Sequence, residues 1–269
     1  NCHPKSFTTQ PLKKNSITIF STNTKKISTT FLIIFILPHS QIYLFVETKT
    51  NLFHVKPSED FQQQNLLSKF LATHNVILSE NTLDKLFEYA DLVVEENENQ
   101  NLISKKDAEK FLSRHITDSL IPYIYIGKNF ANTENLCWAD MGSGGGCPVF
   151  PLAIVLPNIH FYAVEPRTKR VLFMQSAAQN LGLKNLTVVG KRFETSELSN
   201  LDFISCRALS TFENDWERAK VALKPKGIFA TLKSFNNVEN LLGDPNINIT
   251  KYTLPQEDQV YAFVTRGNE

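Results

Sequence analysis

The sequence predicts an α/β protein: a mostly parallel sheet flanked by helices, preceded by a small helical module. From about residue 136, short apolar runs alternate with segments of helical periodicity, which is typical of a parallel sheet covered on both faces. The first apolar run leads directly into a glycine-rich stretch, residues 142–146. Residues 62–128 carry helical patterns only. These three observations fix the predicted architecture.

The helical module is predicted from its caps and its apolar spacing. Ser79 is a candidate N-cap, a position that favours serine because its hydroxyl accepts from a free backbone N–H. The apolar stripe that follows at three/four spacing comprises Leu83, Leu86, Phe87, Ala90, Val93 and Val94. Ser104 and Asp107 resemble a capping box, and residues 115–126 are a further predicted helix. The module is assigned residues 53–128.

The α/β domain is assigned residues 129–269. Its predicted strands are 136–140, 160–164, 186–189, 201–206, 227–232 and 259–264, and its predicted helices are 148–156, 167–181, 212–223 and 235–242.

Residues 1–52 differ from the rest because they contain no Gly, Ala, Asp, Arg, Met or Trp. Three interpretations compete. A transit peptide would be rich in Ser and Thr but would also contain arginine. A membrane anchor would need about 20 apolar residues, and residues 38–41 interrupt the apolar runs. The favoured interpretation is a leader that is disordered or not native protein, such as read-through of AT-rich DNA.

Composition excludes several classes of protein. With 42% hydrophobic and 20% charged residues, the chain has the composition of a soluble globular protein. The net charge is +1, so affinity for polyanions must come from local patches. The four cysteines form no C-x-x-C pair and no Cys/His cluster, which argues against disulfides and for a reducing compartment, and predicts no metal site.

The glycines follow the spacing G-x-G-x-G at Gly142, Gly144 and Gly146. The dinucleotide pattern G-x-G-x-x-G fails here, and no G-x-x-x-x-G-K-[ST] phosphate loop is present. Glu165 ends the second strand nineteen positions after Gly146, where a carboxylate can accept both hydroxyls of a ribose. S-adenosylmethionine, an adenosine without phosphates, fits this arrangement. A nicotinamide oxidoreductase is the alternative.

The order of motifs resembles one family. The motifs are "NLIS" at 101–104, "RHITDS" at 114–119, "DMGSGGGCP" at 140–148, "VEPRTKRVLFM" at 164–174, "FISCRA" at 203–208 and "LKS" at 232–234. Over residues 62–266 the chain resembles the RsmG (GidB) family of small-subunit ribosomal RNA guanine-N7 methyltransferases. Val149 departs from the family pattern, which often has glycine after Pro148.

The resemblance implies a class I, Rossmann-like methyltransferase fold and a set of site residues. Gly142 and Cys147 would contact S-adenosylmethionine, with Gly144 and Gly146 completing the loop. Glu165 would hold its ribose, and Phe193 and Glu194 would bracket its adenine. Arg207 would contact the donor or the entering base. Arg114, His115 and Lys233 are named with Arg207 as candidate catalytic residues.

The chemistry of the target atom agrees with these expectations. No [DN]-P-P-[YFW] motif for amine methylation follows the fourth strand, and Cys206 lacks the proline expected before a nucleophilic cysteine. Guanine N7 needs neither device, because its lone pair is already available and alignment supplies most of the catalysis.

The expected partner is 16S rRNA or the small ribosomal subunit, and the protein is expected to be a cytoplasmic monomer without membrane association. Candidate phosphate contacts are Lys105, Lys106, Lys110, Arg114, His115, Arg167, Lys169, Arg170, Lys191, Arg192 and Lys233. A non-catalytic RNA-binding assembly factor remains a further alternative.

Overall fold

The structure, a computed structural model, divides the chain into two compact units, residues 1–61 and 62–269. It describes residues 17–22, 30–37, 41–48, 51–54 and 59–269.

In the first unit the described backbone forms an antiparallel sheet in the order β1-β2-β3-β4. These strands are β1 (Ile17–Thr22), β2 (Thr30–Leu37), β3 (Gln41–Thr48) and β4 (Asn51–His54). The interpretation of residues 1–52 as a leader falls largely outside the described residues and stays a prediction.

The predicted helical module is present. It contains α1 (Glu59–Thr73), α2 (Glu80–Gln100), α3 (Lys105–Ala108), a π-helical turn (Phe111–Ile116), α4 (Thr117–Ser119) and α5 (Ile121–Tyr125). Ser79 caps α2 as predicted, because its hydroxyl accepts from the backbone N–H of Thr82 at 3.2 Å. Ser104 caps α3 in the same way, through the N–H of Asp107 at 3.1 Å.

The buried face of α2 differs from the predicted stripe at its edges. Leu86, Ala90 and Val93 are buried as expected, but Val94 is 39% exposed. Tyr89 is fully buried. The reason is the helical period: positions 86, 89, 90 and 93 lie on one side, and residue 94 is turned about 100° from residue 93. Tyr89 was not predicted because its polar hydroxyl does not fit an apolar stripe.

The sheet of the second unit has seven strands in the order β10-β11-β9-β8-β5-β6-β7. Their bounds are β5 (Cys137–Met141), β6 (His160–Val164), β7 (Leu186–Val189), β8 (Leu201–Arg207), β9 (Leu223–Ser234), β10 (Ile247–Thr253) and β11 (Val260–Gly267). The five strands from β9 to β7 are parallel, while β10 and β11 are antiparallel. The predicted mostly parallel sheet is therefore confirmed.

Helices α6 (Val149–Val155), α7 (Thr168–Asn180) and α8 (Phe212–Lys220) connect the parallel strands. Two expectations were wrong. Residues 235–242 form two short 3₁₀ turns instead of a helix. Strand β10 was not predicted, because its sequence INITKYT is half polar and it pairs on one side only, at the edge of the sheet.

The strand order reverses between β5 and β8. From β5 the chain builds outwards through β6 and β7, then returns to β8 and continues through β9 on the other side. Ligands of parallel α/β sheets bind beyond the carboxyl ends of the strands at such a reversal. Asp140, Glu165 and Arg207 all lie at these ends.

Candidate active site

The loop between β5 and α6 has the backbone conformation that its glycines predict. Gly142, Gly144 and Gly146 have φ angles of 72°, 60° and 102°, in the region that residues with a side chain rarely adopt. A Cβ at Gly146 would lie 2.6 Å from the Phe150 ring, and one at Gly142 would lie 2.8 Å from Leu209. At two of the three positions, close packing therefore also demands glycine.

A cavity of about 430 Å³, here called the donor cavity, lies against this loop. Its size is within the range of small-molecule sites. It is lined by the loop (Gly142, Ser143, Gly144, Gly145, Cys147), the segment after β6 (Glu165, Pro166, Arg167, Arg170), the helical module (Val93, Leu102, Ile103, Phe111) and residues 207–209. The cavity thus combines one apolar wall with one polar wall.

Glu165 provides the carboxylate of the polar wall and is only 3% exposed. Its Oε2 accepts from the N–H of Gly144 at 3.0 Å, and its Oε1 accepts from the N–H of Arg167 at 3.0 Å. A carboxylate has about four acceptor positions, so about two remain for a ligand. This fits an adenosine ligand whose two ribose hydroxyls need acceptors. The predicted contact between Glu165 and ribose stays a prediction.

Phe193 and Glu194 do not line the donor cavity. Their segment forms a 3₁₀ turn that places the Phe193 ring in a buried apolar cluster, 9% exposed. The Glu194 carboxylate is half exposed and lies 3.7 Å from Arg218. The structure therefore does not bring these two predicted adenine contacts to the glycine loop.

A second, larger cavity of about 980 Å³, here called the acceptor cavity, adjoins the first. Arg207, Ala208 and Leu209 line both cavities. All four candidate catalytic residues line the acceptor cavity, namely Arg114, His115, Arg207 and Lys233. The structure thus brings together residues that are far apart in sequence.

Arg207 lies where the two cavities meet and is held there by two acceptors. Its Nη1 donates to Nδ1 of His115 at 3.1 Å and to Oδ2 of Asp118 at 3.2 Å. The Tyr252 hydroxyl donates to the other oxygen of Asp118 at 2.6 Å. Tyr252 lies on β10, the strand that was not predicted, so this contact could not be anticipated from the sequence pattern.

His115 is a neutral imidazole near pH 7. Burial, together with the positive charges of Arg207 and Arg114, lowers its pKa from 6.5 to about 4. Because Arg207 can only donate, Nδ1 accepts and the ring proton lies on Nε2. The prediction that His115 contacts phosphate therefore cannot rest on a positive charge.

Arg114 is held at the rim of the acceptor cavity by two acids. Its Nη1 lies 2.5 Å from Asp107, and its Nε lies 2.6 Å from Glu257 in the loop between β10 and β11. Asp118 has Arg207 and Tyr252 as its partners. The ion pair between Arg114 and Glu257 therefore joins the helical module to the last hairpin of the sheet.

Lys233 forms a buried ion pair beneath the loop that follows β8. Its Nζ donates to Asp215 at 3.0 Å and to the carbonyl of Ser210 at 2.6 Å. Asp215 is fully buried and also accepts from the Ser210 hydroxyl at 2.6 Å. These contacts fix residue 210 at the cavity wall, so the ammonium group of Lys233 holds protein groups.

Asp140, before the glycine loop, is a buried acid with a shifted pKa. Its Oδ1 accepts from Ser205, whose hydroxyl in turn accepts from Trp138 at 3.0 Å. Its Oδ2 has no hydrogen-bond partner among the described residues. Burial raises the pKa of Asp140 to about 7, far above that of an exposed aspartate.

Cys206 lies away from both cavities. Burial raises the pKa of Cys206, and its thiol donates to Thr231 at 3.3 Å instead of lining either cavity, so it is not a reactive nucleophile. Across the part of the chain that the structure describes, no three His, Cys, Asp or Glu residues cluster as a metal site. Within the same part, no helix is both long and apolar enough to cross a bilayer.

Comparison with known proteins assigns a family. Residues 82–260 match the family model described as rRNA small subunit methyltransferase G. A protein of that name from Wolinella succinogenes is 32% identical over 174 residues, covering 65% of this chain and 84% of the relative. Another from Bacillus subtilis is 30% identical over 202 residues, covering 70% and 83%.

Among solved structures, a SAM-dependent methyltransferase from Aquifex aeolicus aligns with a TM-score of 0.45 at 19% identity, over 60% of this chain and 96% of that chain. The sheet order and the family match confirm the predicted class I methyltransferase fold. The chain belongs to the rRNA small subunit methyltransferase G family.

Proposed function

We propose that this protein transfers a methyl group from S-adenosylmethionine to N7 of a guanosine in the 16S rRNA of the small ribosomal subunit. One observation carries the proposal. A cavity suited to the donor meets a larger cavity suited to a nucleotide at one shared segment, residues 207–209. The family match adds that relatives are named as methyltransferases of small-subunit rRNA, and it argues against a nicotinamide oxidoreductase.

The donor cavity has the groups that S-adenosylmethionine requires. The loop at Gly142, Gly144 and Cys147 provides bare backbone, Glu165 provides free acceptor positions, and the helical module provides an apolar wall. When bound, the donor supplies an electrophilic methyl group on a positively charged sulfur. Glu165 and the loop backbone orient the ligand, and the apolar wall excludes water from the reacting face.

The acceptor cavity needs to orient the base and does not need to remove a proton. Guanine N7 carries an in-plane lone pair, so positioning is the main contribution of the protein. Arg207, held by Asp118 and His115, presents its guanidinium at the meeting point of the cavities. We propose that this guanidinium contacts O6 of the base or a phosphate. It is not expected to stack on the base, because the methylated ring is positively charged and would repel a guanidinium placed against its face.

The RNA backbone is bound by basic residues around the cavities. Arg167, Lys169, Lys191 and Arg192 are exposed beyond the carboxyl ends of the strands, and Arg170 lines the donor cavity. Arg114 and Lys233 carry charge at the acceptor cavity, each already paired with acids. We propose that the enzyme acts as a cytoplasmic monomer.

The test is methyl transfer to ribosomal substrates. Purified protein and labelled S-adenosylmethionine are incubated with small subunits, or with deproteinised 16S rRNA, from a strain that lacks this modification. Nucleoside analysis should show one 7-methylguanosine per rRNA in at least one substrate. Labelled product at another atom, or no product in either substrate, would overturn the proposal. Binding of S-adenosylmethionine without transfer would support a non-catalytic assembly factor instead.

A further inference from the structure

One buried tyrosine of the helical module contacts the glycine loop. Tyr89 on α2 is fully buried, and its ring stacks on Phe150 of α6 with centroids 4.9 Å apart and planes at 10°. Its hydroxyl donates to the carbonyl of Gly145 at 2.8 Å. Because Gly145 is at the centre of the loop that lines the donor cavity, a residue of the helical module restrains that loop.

We infer that Tyr89 is a positioning residue for the methyl donor, whose phenol fixes the Gly145 carbonyl and hence the loop conformation on which the donor lies. The inference rests on the proposed donor site. Tyr89 itself does not line that cavity, so its effect must pass through the loop.

The hydroxyl of Tyr89 is fully used in this role. Cys147 Sγ lies 3.6 Å from Tyr89 Oη. A phenol has one proton, and here it goes to the Gly145 carbonyl, so the oxygen accepts from the Cys147 thiol. Burial raises the pKa of Tyr89 well above its ordinary value. The phenol therefore stays protonated and remains a donor throughout the pH range in which enzymes are assayed.

The loop needs such a restraint because it has almost no side chains of its own. Gly144 donates its N–H to Glu165, at the carboxyl end of β6, and the carbonyl of Gly145 accepts from Tyr89. Adjacent groups of the loop are thus held by two different elements, the segment after β6 and helix α2. A Cβ at Gly146 would lie 2.7 Å from the Tyr89 hydroxyl, so Tyr89 adds to the Phe150 ring and the positive φ as a reason for glycine at this position.

The same module also forms one wall of the donor cavity. Val93 on α2, Leu102 and Ile103 after it, and Phe111 at the start of the π-helical turn all line the cavity. The module therefore contributes both a wall and a restraint. Both contributions come from one part of α2, because Val93, which lines the cavity, lies one turn after Tyr89, which restrains the loop.

The test is Tyr89→Phe, which keeps the ring and removes only the hydroxyl. Calorimetry with S-adenosylhomocysteine, the demethylated donor, should give a Kd about 5- to 30-fold weaker than wild type, the effect of one lost buried hydrogen bond. Amide exchange at residues 142–147 should become faster. The matched control is Asn185→Ala, because Asn185 donates to the carbonyls of Ala153, Leu156 and Ile159 and lines neither the donor nor the acceptor cavity.

The control should lower the melting temperature and leave the Kd within twofold of wild type, since both titrations are made well below the transitions. A Tyr89→Phe protein with an unchanged Kd, or with unchanged exchange in the loop, would overturn the inference. Failure of the wild-type protein to bind S-adenosylhomocysteine would instead overturn the proposed function, so the two failures are distinguishable.

Discussion

The carboxylate of Glu165 can be tested by an isosteric change, Glu165→Gln. In the native protein each carboxylate oxygen accepts one backbone N–H, from Gly144 and from Arg167, both at 3.0 Å. A glutamine has a single acceptor oxygen, and its amide nitrogen can only donate. One of the two N–H groups must therefore face another donor, whichever way the amide is turned.

The magnitude follows from that mismatch. Leaving a buried donor unsatisfied costs about 1–3 kcal/mol, and the ribose also loses acceptor positions. Because the acceptor lost to the ribose matters only in the ligand-bound state, the same cost there raises the Kd for S-adenosylmethionine about 5- to 150-fold. The ion pair with Arg170, at 3.8 Å and partly exposed, contributes little to this change because solvent screens it.

The assay is isothermal titration of both proteins with S-adenosylmethionine, beside a Glu217→Gln control. Glu217 lies on α8 with a side chain that is 62% exposed, and its substitution should leave the Kd unchanged. A Glu165→Gln protein that folds and binds the donor within twofold of wild type would refute the assigned role of this carboxylate.

Three further predictions concern the acceptor side and pH. Tyr252→Phe removes the hydrogen bond that orients Asp118, and kcat should fall about tenfold, the effect of roughly 1.4 kcal/mol, while calorimetry shows an unchanged donor Kd; an unchanged kcat would contradict this. The pKa of His115 is lowered from 6.5 to about 4, so the unfolded chain binds the proton more readily and stability is lost as pH falls through this range; His115→Gln should reduce that loss by up to about 3 kcal/mol in denaturant titrations. The pKa of Asp140 is raised from 3.8 to about 7, so its contribution to folding stability is present below pH 3.8 and is lost as pH rises through 7. The free energy of unfolding of the Asp140→Asn protein should therefore gain up to about 4 kcal/mol relative to wild type between pH 4 and pH 8. A difference between the two proteins that stays constant with pH would exclude a raised pKa.

The parts of the fold with strong local patterns could be predicted from the sequence. The parallel strands are short, mostly apolar segments, and the glycine loop marks the first turn, so the order of elements and the position of the site could be predicted. Ser79 identifies the start of α2 because a serine cap is a local signal. The edge strand β10 and the 3₁₀ turns at 235–241 have weak patterns and depend on tertiary packing.

Sequence reasoning identified residues that line one cavity, but it did not identify the residues with which they form ion pairs and hydrogen bonds. Arg114, His115, Arg207 and Lys233 line one cavity as a group, yet their roles depend on distant residues. Lys233 is paired with Asp215, and Arg207 is oriented by Asp118. Such pairs join strands to helices that are remote in sequence, so spacing cannot reveal them.

Tyr89 and Tyr252 were missed for the same physical reason. In each, the polar hydroxyl makes the decisive contact, to Gly145 and to Asp118, and a polar group does not fit the apolar patterns from which buried positions are predicted. The hydrogen-bond partner of each hydroxyl is distant in sequence and could not be predicted. Phe193, for which the family resemblance implies a contact with adenine, lies in a buried apolar cluster, and that contact stays a prediction.

The most direct test of the central claim is a crystal structure with S-adenosylhomocysteine bound. The account predicts the adenosine in the donor cavity, with both ribose hydroxyls within hydrogen-bonding distance of Glu165 and the ligand tail along residues 142–147. A ligand bound elsewhere, or a ribose whose hydroxyls make no contact with Glu165, would contradict it.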